Sequence, residues 1–252
     1  MITRREALAG IGSAVGILWA NPSLALQQMI TAGELRIYNA DSAVKTDELE
    51  QALIKAGDRF SEAGLAFQDL KLIEHFEPLG NLDVVVCVLN ASLFSQKGEK
   101  PPLAGFRIAN APNCQYKDAI VQATGIPYEA SLETNTGFII PDLVMPEQSH
   151  QQEKADFLSR LITAVAAKAY AAREVGIYRQ GQFIPSPEYF LGDWRTGTRF
   201  HPLNQKIMRH YVSTVNSRPE VYNSPAERKK LWEMVNFNQK IDLNDARGCK
   251  PF

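Results

Sequence analysis

The stretch that most constrains the fold is LDVVVCVLN, residues 82–90, which is apolar at odd and even positions alike. Successive side chains of a strand point to opposite faces of a sheet, so this strand needs cover on both faces. Short runs of this kind are typical of strands in the middle of a sheet. We therefore predict a sheet that has residues 82–90 near its centre.

The residues around this strand predict further strands and one helix. Residues 33–40, GELRIYNA, alternate apolar and polar side chains as a half-buried strand does. Residues 46–64 place apolar side chains at helical spacing, with Thr46 as the N-cap and Gly64 as the stop. Apolar runs between turn residues predict short strands at 65–75, 101–112 and 116–124. Residues 127–137 are polar and predict an irregular stretch, and 137–145 form a short apolar run that Pro141 interrupts.

A long helix is the main feature of the second half. Residues 151–175 carry an apolar stripe that includes Leu161 and Val165, and Gly176 is expected to end the helix. A structured loop from residue 181 and two helices, at 201–217 and 224–239, complete the predicted elements. This order predicts an α+β fold in which most strands precede the second helix.

Composition limits the classes of function. The chain has 252 residues, of which 45% are hydrophobic, and this is enough apolar material for a sizeable core. The formal net charge of -1 supplies no basic field for nucleic acid. No internal stretch is long and apolar enough to predict a membrane span.

The N-terminal residues predict export. Arg4 and Arg5 precede an uncharged run at 8–20, and small residues follow, up to Ala25. This pattern is typical of a cleaved secretory signal at 1–25, so we expect a periplasmic or secreted protein. TRREAL resembles the twin-arginine export signal. Ala7 stands where such signals often have a bulky residue, so the general secretion route stays open.

The remaining chain predicts one domain with a C-terminal extension. We expect a domain at 26–180, and a C-terminal loop with helices at 181–252 that packs on the same domain.

Three cysteines remain after signal removal, and export would let disulfides persist. Cys87 lies in the apolar run and is expected to be a buried thiol. Cys114 and Cys249 both lie among turn-forming residues, and we predict that they form a disulfide.

The order of elements resembles the zincin fold, in particular its metzincin-like branch. In that family an N-terminal sheet carries a helix, a long helix carries HExxHxxGxxH, and a C-terminal part closes the site from below. The resemblance covers about residues 35–211 and depends on the element order, on Gly176 and on the pair Ile177 and Tyr178 after it. It implies a zincin-like sheet with a helix on it, a long central helix and a mostly helical or irregular C-terminal part.

The zinc signature is not preserved in AYAAREVGIYR. The metal histidines would fall on Ala169, Arg173 and Arg179, and the general-base glutamate would fall on Tyr170. Alanine has no ligand atom and arginine repels a cation. The resemblance therefore implies a degenerate, non-catalytic domain, and we predict no cofactor and no metal site. An H-x-x-E pair, His150 and Glu153, at the start of the long helix is a weak alternative.

No other signature of chemistry is present. The sequence has no G-x-S-x-G elbow, P-loop, dinucleotide fingerprint or C-x-x-C motif. The most concentrated polar cluster is GDWRTGTRFHP, and its Arg195 and Arg199 could form an anion or carboxylate pocket that Asp193 orients. The alternative for this loop is a purely structural role, with a salt bridge and a buried Trp194.

The leading hypothesis is an exported binding or accessory module of the cell envelope, with an envelope protein, a peptide or a glycan as its partner. The predicted ligand-binding residues are Arg173, Arg179, Arg195, Arg199 and Trp194. The alternative is a secreted hydrolase with a non-standard metal or acid–base site, for which the candidate catalytic residues are Glu174, Asp193, His201 and His210. A structural accessory subunit is a third possibility.

Overall fold

The computed structural model describes residues 29–75, 78–89, 105–106, 119–120, 128–131, 135–141, 151–179, 182–192 and 196–237. Its helices are α1 (Thr46–Glu62), α2 (Gln151–Ala169), α3 (Pro202–Ser217) and α4 (Pro225–Phe237). Its strands are β1 (Ile30–Thr31), β2 (Leu35–Asn39), β3 (Leu65–Ala66), β4 (Leu70–Ile73), β5 (Val84–Val88), β6 (Gly105–Phe106), β7 (Ala119–Ile120), β8 (Tyr128–Ser131), β9 (Thr136–Ile139), β10 (Gly176–Arg179) and β11 (Gln182–Pro185).

Five of the strands form the main sheet, in the order β4-β2-β5-β9-β8. All neighbours are parallel except β8, which runs antiparallel to β9 at the edge. The apolar strand β5 is third of the five and is buried at every residue. The prediction of a central strand at 82–90 is therefore confirmed.

Helices α1 and α2 cover one face of this sheet. Val86 of β5 and Ile37 of β2 share a core with Phe60 of α1 and Val165 of α2. The opposite face also carries buried side chains, among them Cys87, which is a buried thiol as predicted. At the coarse level the chain is thus a mixed α/β structure with a mostly parallel sheet, consistent with the predicted α+β class.

A charged cluster joins the two helices at their surface. Arg59 of α1 donates to Asp156 of α2 at 2.7 Å, and Arg160 donates to the other oxygen of the same carboxylate at 2.7 Å. Burial alone would raise the pKa of Asp156, but the hydrogen bonds and charges of Arg160 and Arg59 hold that pKa below its usual value. The Arg59 guanidinium also lies 5.0 Å from the ring centre of Phe190, which ties the segment after β11 to both helices.

Four sequence predictions about the elements were wrong in detail. Residues 65–75 form two short strands, β3 and β4, which belong to different sheets. The stretch at 127–137 contains the edge strand β8, because it pairs with β9 in spite of its polar composition. Lys45, without a side-chain cap bond, is the N-cap of α1, and Thr46 is the first helical residue. Helix α2 ends at Ala169, six residues before the predicted end at Val175.

Among the described residues, no helix has both the length and the apolar character that crossing a membrane requires.

Candidate functional site

The end of α2 is closed by a left-handed residue. Ala171 has a φ of 66°, and the N–H of Ala172 donates to the carbonyl of Ala167 at 2.9 Å. The N–H of Ala171 donates to the carbonyl of Lys168 at 3.0 Å. These two bonds form a Schellman motif, in which glycine usually takes the left-handed position. The predicted stop, Gly176, begins strand β10 instead.

The early helix end changes the geometry of the positions that the resemblance assigns to metal ligands. Two ligands four residues apart lie on one face only if the helix continues through both. Ala169 is the last helical residue, whereas Arg173 lies beyond the left-handed turn. The two positions therefore do not share a helical face.

Tyr170, which the resemblance aligns with the general base, is built into the core. Its side chain is fully buried, and its hydroxyl donates to the carbonyl of Leu82 at 2.6 Å. Burial, and then the charge of Asp83, raise the pKa of Tyr170 well above its usual value. The hydroxyl thus stays protonated and links the end of α2 to the loop that leads into β5.

Arg173 is buried at 1% exposure. Its main chain forms two hydrogen bonds with the Asn204 side chain, both of 2.9 Å, and its guanidinium donates to the carbonyl of Val235 at 3.3 Å. Val235 lies in the last turn of α4, where the helix dipole favours a cation. These contacts favour a structural role for Arg173, and its role as a ligand-binding residue stays a prediction.

Two further contacts lie at the end of α2, and the first of them joins it to α4. The indole of Trp232 donates to the carbonyl of Lys168 at 2.9 Å. The Lys168 ammonium group lies 4.0 Å from the carboxylate of Glu174, a candidate catalytic residue that is partly buried. Lys168 therefore gives Glu174 a charged partner, and the catalytic role of Glu174 stays a prediction.

The loop before α3 brings together a surface cluster, which we call the Tyr189 cluster: Glu188, Tyr189, Arg199 and His201. Its two segments lie side by side, because Phe190 donates to the carbonyl of Arg199 at 3.2 Å and Thr198 donates to that of Glu188 at 3.1 Å. The Arg199 guanidinium pairs with Glu188 and lies 5.5 Å from the ring centre of Tyr189.

The ion pair between Arg199 and Glu188 shifts the pKa values of both residues. The hydrogen bond from Arg199 lowers the pKa of Glu188, and the same bond raises the pKa of Arg199. Burial, followed by the neighbouring Glu188, raises the pKa of Tyr189. Because Arg199 is 62% exposed and Glu188 is 50% exposed, solvent screens this pair and it adds little to stability.

His201 belongs to the Tyr189 cluster but has a structural task. Its ring lies edge-on to Tyr189 with 4.9 Å between ring centres. Its Nδ1 accepts a hydrogen bond from the N–H of Leu203 at 3.2 Å, so His201 is the N-cap of α3. His210, the other histidine candidate, lies within α3 and is exposed, whereas the adjacent Tyr211 is buried in the core.

Several predicted residues lie outside the described part of the chain. They are Arg4, Arg5 and Ala25 of the signal, Cys114 and Cys249 of the disulfide, His150, and Asp193, Trp194 and Arg195 of the loop. The backbone of Arg179 lies in β10, but its side chain is not among those described. The roles of these residues stay predictions.

Sequence reasoning missed Glu188, Tyr189 and Asn204. Tyr189 lies ten residues before Arg199 and twelve before His201, Glu188 lies eleven before Arg199, and no periodic pattern links these residues. In the described part of the chain, no group of three or more His, Cys, Asp or Glu side chains is placed to hold a metal ion. No protein-family model matches the chain, and no curated protein matches it in sequence.

Proposed function

We propose that this chain is an exported protein of the cell envelope that binds a partner through a degenerate zincin-like domain. The export part of the proposal is supported by the paired arginines Arg4 and Arg5, the uncharged run at 8–20 and the small residues up to Ala25. The protein would be periplasmic or secreted.

The zincin-like part is supported by the arrangement of layers. The first half contains a sheet with α1 on one face, and the long helix α2 follows the last strand of that sheet. The C-terminal helices then pack against the end of α2 through Arg173 and Trp232. These features support the proposal only at the level of a mixed α/β arrangement, and the zincin-like fold is part of the proposal.

The proposal that the domain is non-catalytic depends on one observation. The side chains at positions where the resemblance expects the zinc site make contacts in the core instead. The Tyr170 hydroxyl is engaged by Leu82, and the Arg173 guanidinium is buried against α4. A general base must reach substrate, and a zinc ligand must reach the ion. Neither buried side chain can do so while it keeps these contacts.

The Tyr189 cluster is the described surface that best suits partner binding. Tyrosine and arginine are enriched in binding hot spots, and here the contact between Tyr189 and Arg199 orients both side chains before a partner arrives. Trp194, Arg195 and Arg179 are proposed as further ligand-binding residues from the sequence alone. An envelope protein, a peptide or a glycan is the expected partner.

The first experiment tests export. The full chain with a C-terminal tag is expressed in a Gram-negative host, and cell fractions are analysed by mass spectrometry. We expect a periplasmic product that begins after Ala25. A double Arg4→Lys, Arg5→Lys variant would accumulate in the cytoplasm if the twin-arginine route is used, and would be exported normally by the general route. Unprocessed wild-type protein in the cytoplasm would refute export.

The second experiment tests binding against catalysis. Immobilised mature protein is incubated with an envelope extract from its native source, in parallel with Arg199→Ala and Lys230→Ala variants. Lys230 is a matched control, because it is 70% exposed and pairs with Glu227 much as Arg199 pairs with Glu188. We expect the Arg199 variant alone to lose the partner.

Two results would count against this function. Equal capture by all three proteins would exclude the Tyr189 cluster as the binding surface. Stoichiometric zinc in the purified protein, together with chelator-sensitive hydrolysis, would favour the alternative, a secreted hydrolase.

A further inference from the structure

A groove lies between strand β1 and helix α3, and it shares no residue with the Tyr189 cluster. One wall is residues 29–31, and the other is a face of α3 that carries Arg209, Ser213, Asn216 and Ser217. We call it the β1–α3 groove. Its volume of about 570 Å³ lies within the range of about 300–1,000 Å³ that is usual for ligand pockets.

The wall formed by β1 is the edge of a small sheet. On its other side β1 pairs with β3 in parallel. The N–H of Ile30 donates to the carbonyl of Gly64 at 3.0 Å, and the N–H of Ala32 donates to that of Ala66 at 2.7 Å. Since alternate residues of a strand direct their main-chain groups to opposite sides, the N–H and carbonyl of Thr31 point away from β3.

A contact with α3 shows that this edge faces the groove. Asn216 Nδ2 donates to the carbonyl of Thr31 at 2.7 Å. A carbonyl oxygen has two lone pairs, so that of Thr31 can accept a second hydrogen bond. The Thr31 N–H has no partner among the described residues. Strand β1 therefore offers the groove one main-chain donor and one acceptor, which are the groups that an added strand pairs with.

Arg209 gives the groove a positive charge. The position that a Cβ would take at Gly64 lies 3.0 Å from Arg209 Nη1, so the guanidinium lies beside the end of β1 that Ile30 occupies. The sequence of α3 contains Lys206, Arg209 and His210 but no Asp or Glu. This wall favours an anionic group, and an arginine fork suits a carboxylate, which it can bind through two parallel N–H bonds.

The same end of the groove is partly apolar. Met29 is 45% exposed there, and Ile30 is only partly buried. An apolar side chain next to a bound carboxylate would remove both from water, which is favourable.

We propose that the β1–α3 groove binds the C-terminal end of an extended peptide, which adds to β1 as a strand and places its carboxylate at Arg209. Arg209 lies at the Ile30 end of β1 and Asn216 contacts Thr31, so a peptide that ends at Arg209 runs antiparallel to β1. Addition of a strand to an exposed sheet edge is a general mode of peptide recognition. The site is separate from the Tyr189 cluster, so this proposal and the proposed function can fail independently.

Two hexapeptide libraries test the ligand class. Both have random residues at the first five positions and leucine at the last, but one ends in a carboxylate and the other, which is isotopically labelled, ends in an amide. An equal mixture is passed over the immobilised full chain, and retained peptides are counted by mass spectrometry. We expect the carboxylate library to be retained about tenfold more, as one charge-assisted hydrogen bond allows. Equal retention, or retention of neither library, would overturn the proposal.

A variant of α3 tests the position of the carboxylate. Arg209→Ala should abolish the preference for the carboxylate library, because it removes the guanidinium. Lys206→Ala is the matched control, since Lys206 lies one turn earlier on α3, is exposed and does not line the groove. A preference that persists in Arg209→Ala, or that is lost equally in both variants, would overturn the assignment.

A variant of β1 tests strand addition. Thr31→Pro removes the N–H that faces the groove and leaves the bonds of Ile30 and Ala32 to β3 in place, so retention should fall about tenfold. Thr31→Val keeps the N–H and should retain the peptides. If Thr31→Pro does not fold, hydrogen exchange of the Thr31 N–H in the wild type replaces it and should slow when the carboxylate library is added. Unchanged retention in folded Thr31→Pro, or unchanged exchange, would overturn the proposal.

Discussion

At the scale of single residues, Ala171 decides where α2 ends. A left-handed φ of 66° costs an alanine about 1–2 kcal/mol more than a glycine, because its Cβ approaches the backbone. Alanine is also the best helix former, so nothing in AAKAYAAREVG signals a stop before Gly176. The surrounding contacts of Tyr170 and Arg173 hold the chain in this conformation.

The first prediction follows from this strain. Ala171→Gly should raise the free energy of unfolding by about 0.5–1 kcal/mol, since relief of the left-handed strain exceeds the entropy that glycine adds to the unfolded chain. Urea unfolding of the mature protein measures the change. Ala164→Gly, in the interior of the same helix, is the control and should lower stability by about 1 kcal/mol or more. A lower stability for both variants would contradict the Schellman assignment.

The second prediction concerns alkaline pH. The pKa of Tyr211 rises from 10.0 to about 12 on folding, so the unfolded chain loses this proton at a lower pH than the folded protein does. Stability from Tyr211 is therefore complete below pH 10 and is lost as pH increases towards 12. Urea midpoints between pH 8 and 11 should fall less steeply for Tyr211→Phe than for the wild type. An equal slope would show that Tyr211 titrates normally, and Tyr222→Phe serves as the reference.

At the scale of elements, the starts of α3 and β2 depend on contacts that lie outside the elements themselves. His201 caps α3 with a ring nitrogen, although His is not among the preferred N-cap residues. Strand β2 begins after Gly33, whose Cα lies against the main chain of Leu82. The hydrophobic pattern predicted both elements, but neither of these contacts.

The third prediction separates capping from catalysis at His201. His201→Ala should lower the free energy of unfolding by about 1 kcal/mol, because the N–H of Leu203 loses its acceptor. His201→Asn should stay close to the wild type, since asparagine is a good N-cap. Thermal or urea unfolding compares the three proteins. Equal losses in both variants would argue against a capping role.

The fourth prediction concerns the close approach at Gly33. A Cβ there would lie 2.3 Å from the carbonyl carbon of Leu82, and this main chain cannot move without disturbing β5. Gly33→Ala should therefore cost about 3 kcal/mol or more, at the upper end for overpacking. Gly80→Ala is the control, because its Cβ would meet only the side chain of Asp83, at 3.2 Å. Similar stability of the two variants would contradict this packing.

At the scale of the whole molecule, one core includes residues from both halves of the chain. Phe60 of α1 contacts Phe200 with 5.1 Å between ring centres, and Tyr170 contacts Tyr211 of α3 at 6.4 Å. Trp232 of α4 belongs to the same buried cluster. Segments that share a core are expected to unfold together.

The fifth prediction is a single unfolding transition. Trp194→Phe leaves Trp232 as the only indole after residue 25, and its buried ring reports on α4. The urea midpoint of its fluorescence should coincide with that of the helical circular dichroism signal, to which the described helices α1 to α4 all contribute. An earlier fluorescence transition would identify 181–252 as a separate unit and contradict the shared core.

Much of the architecture could be predicted because buried faces of helices and strands require apolar residues at regular spacing in the sequence. The apolar run at 82–90 predicted the central strand, apolar spacing predicted α1 and α2, and the other two helices of the described residues were also predicted. That Ala169, Tyr170 and Arg173 do not match a zinc signature could be predicted as well, since it depends only on side-chain chemistry.

The tertiary structure alone decided how the polar residues are used. Helix α2 stops early because distant partners hold Ala171 in a strained conformation. Arg173 is buried because Asn204 and Val235 supply acceptors, and Arg199 meets Glu188 and Tyr189 because two loop segments pair. Because such contacts join residues far apart in the chain, local propensity and periodicity do not predict them.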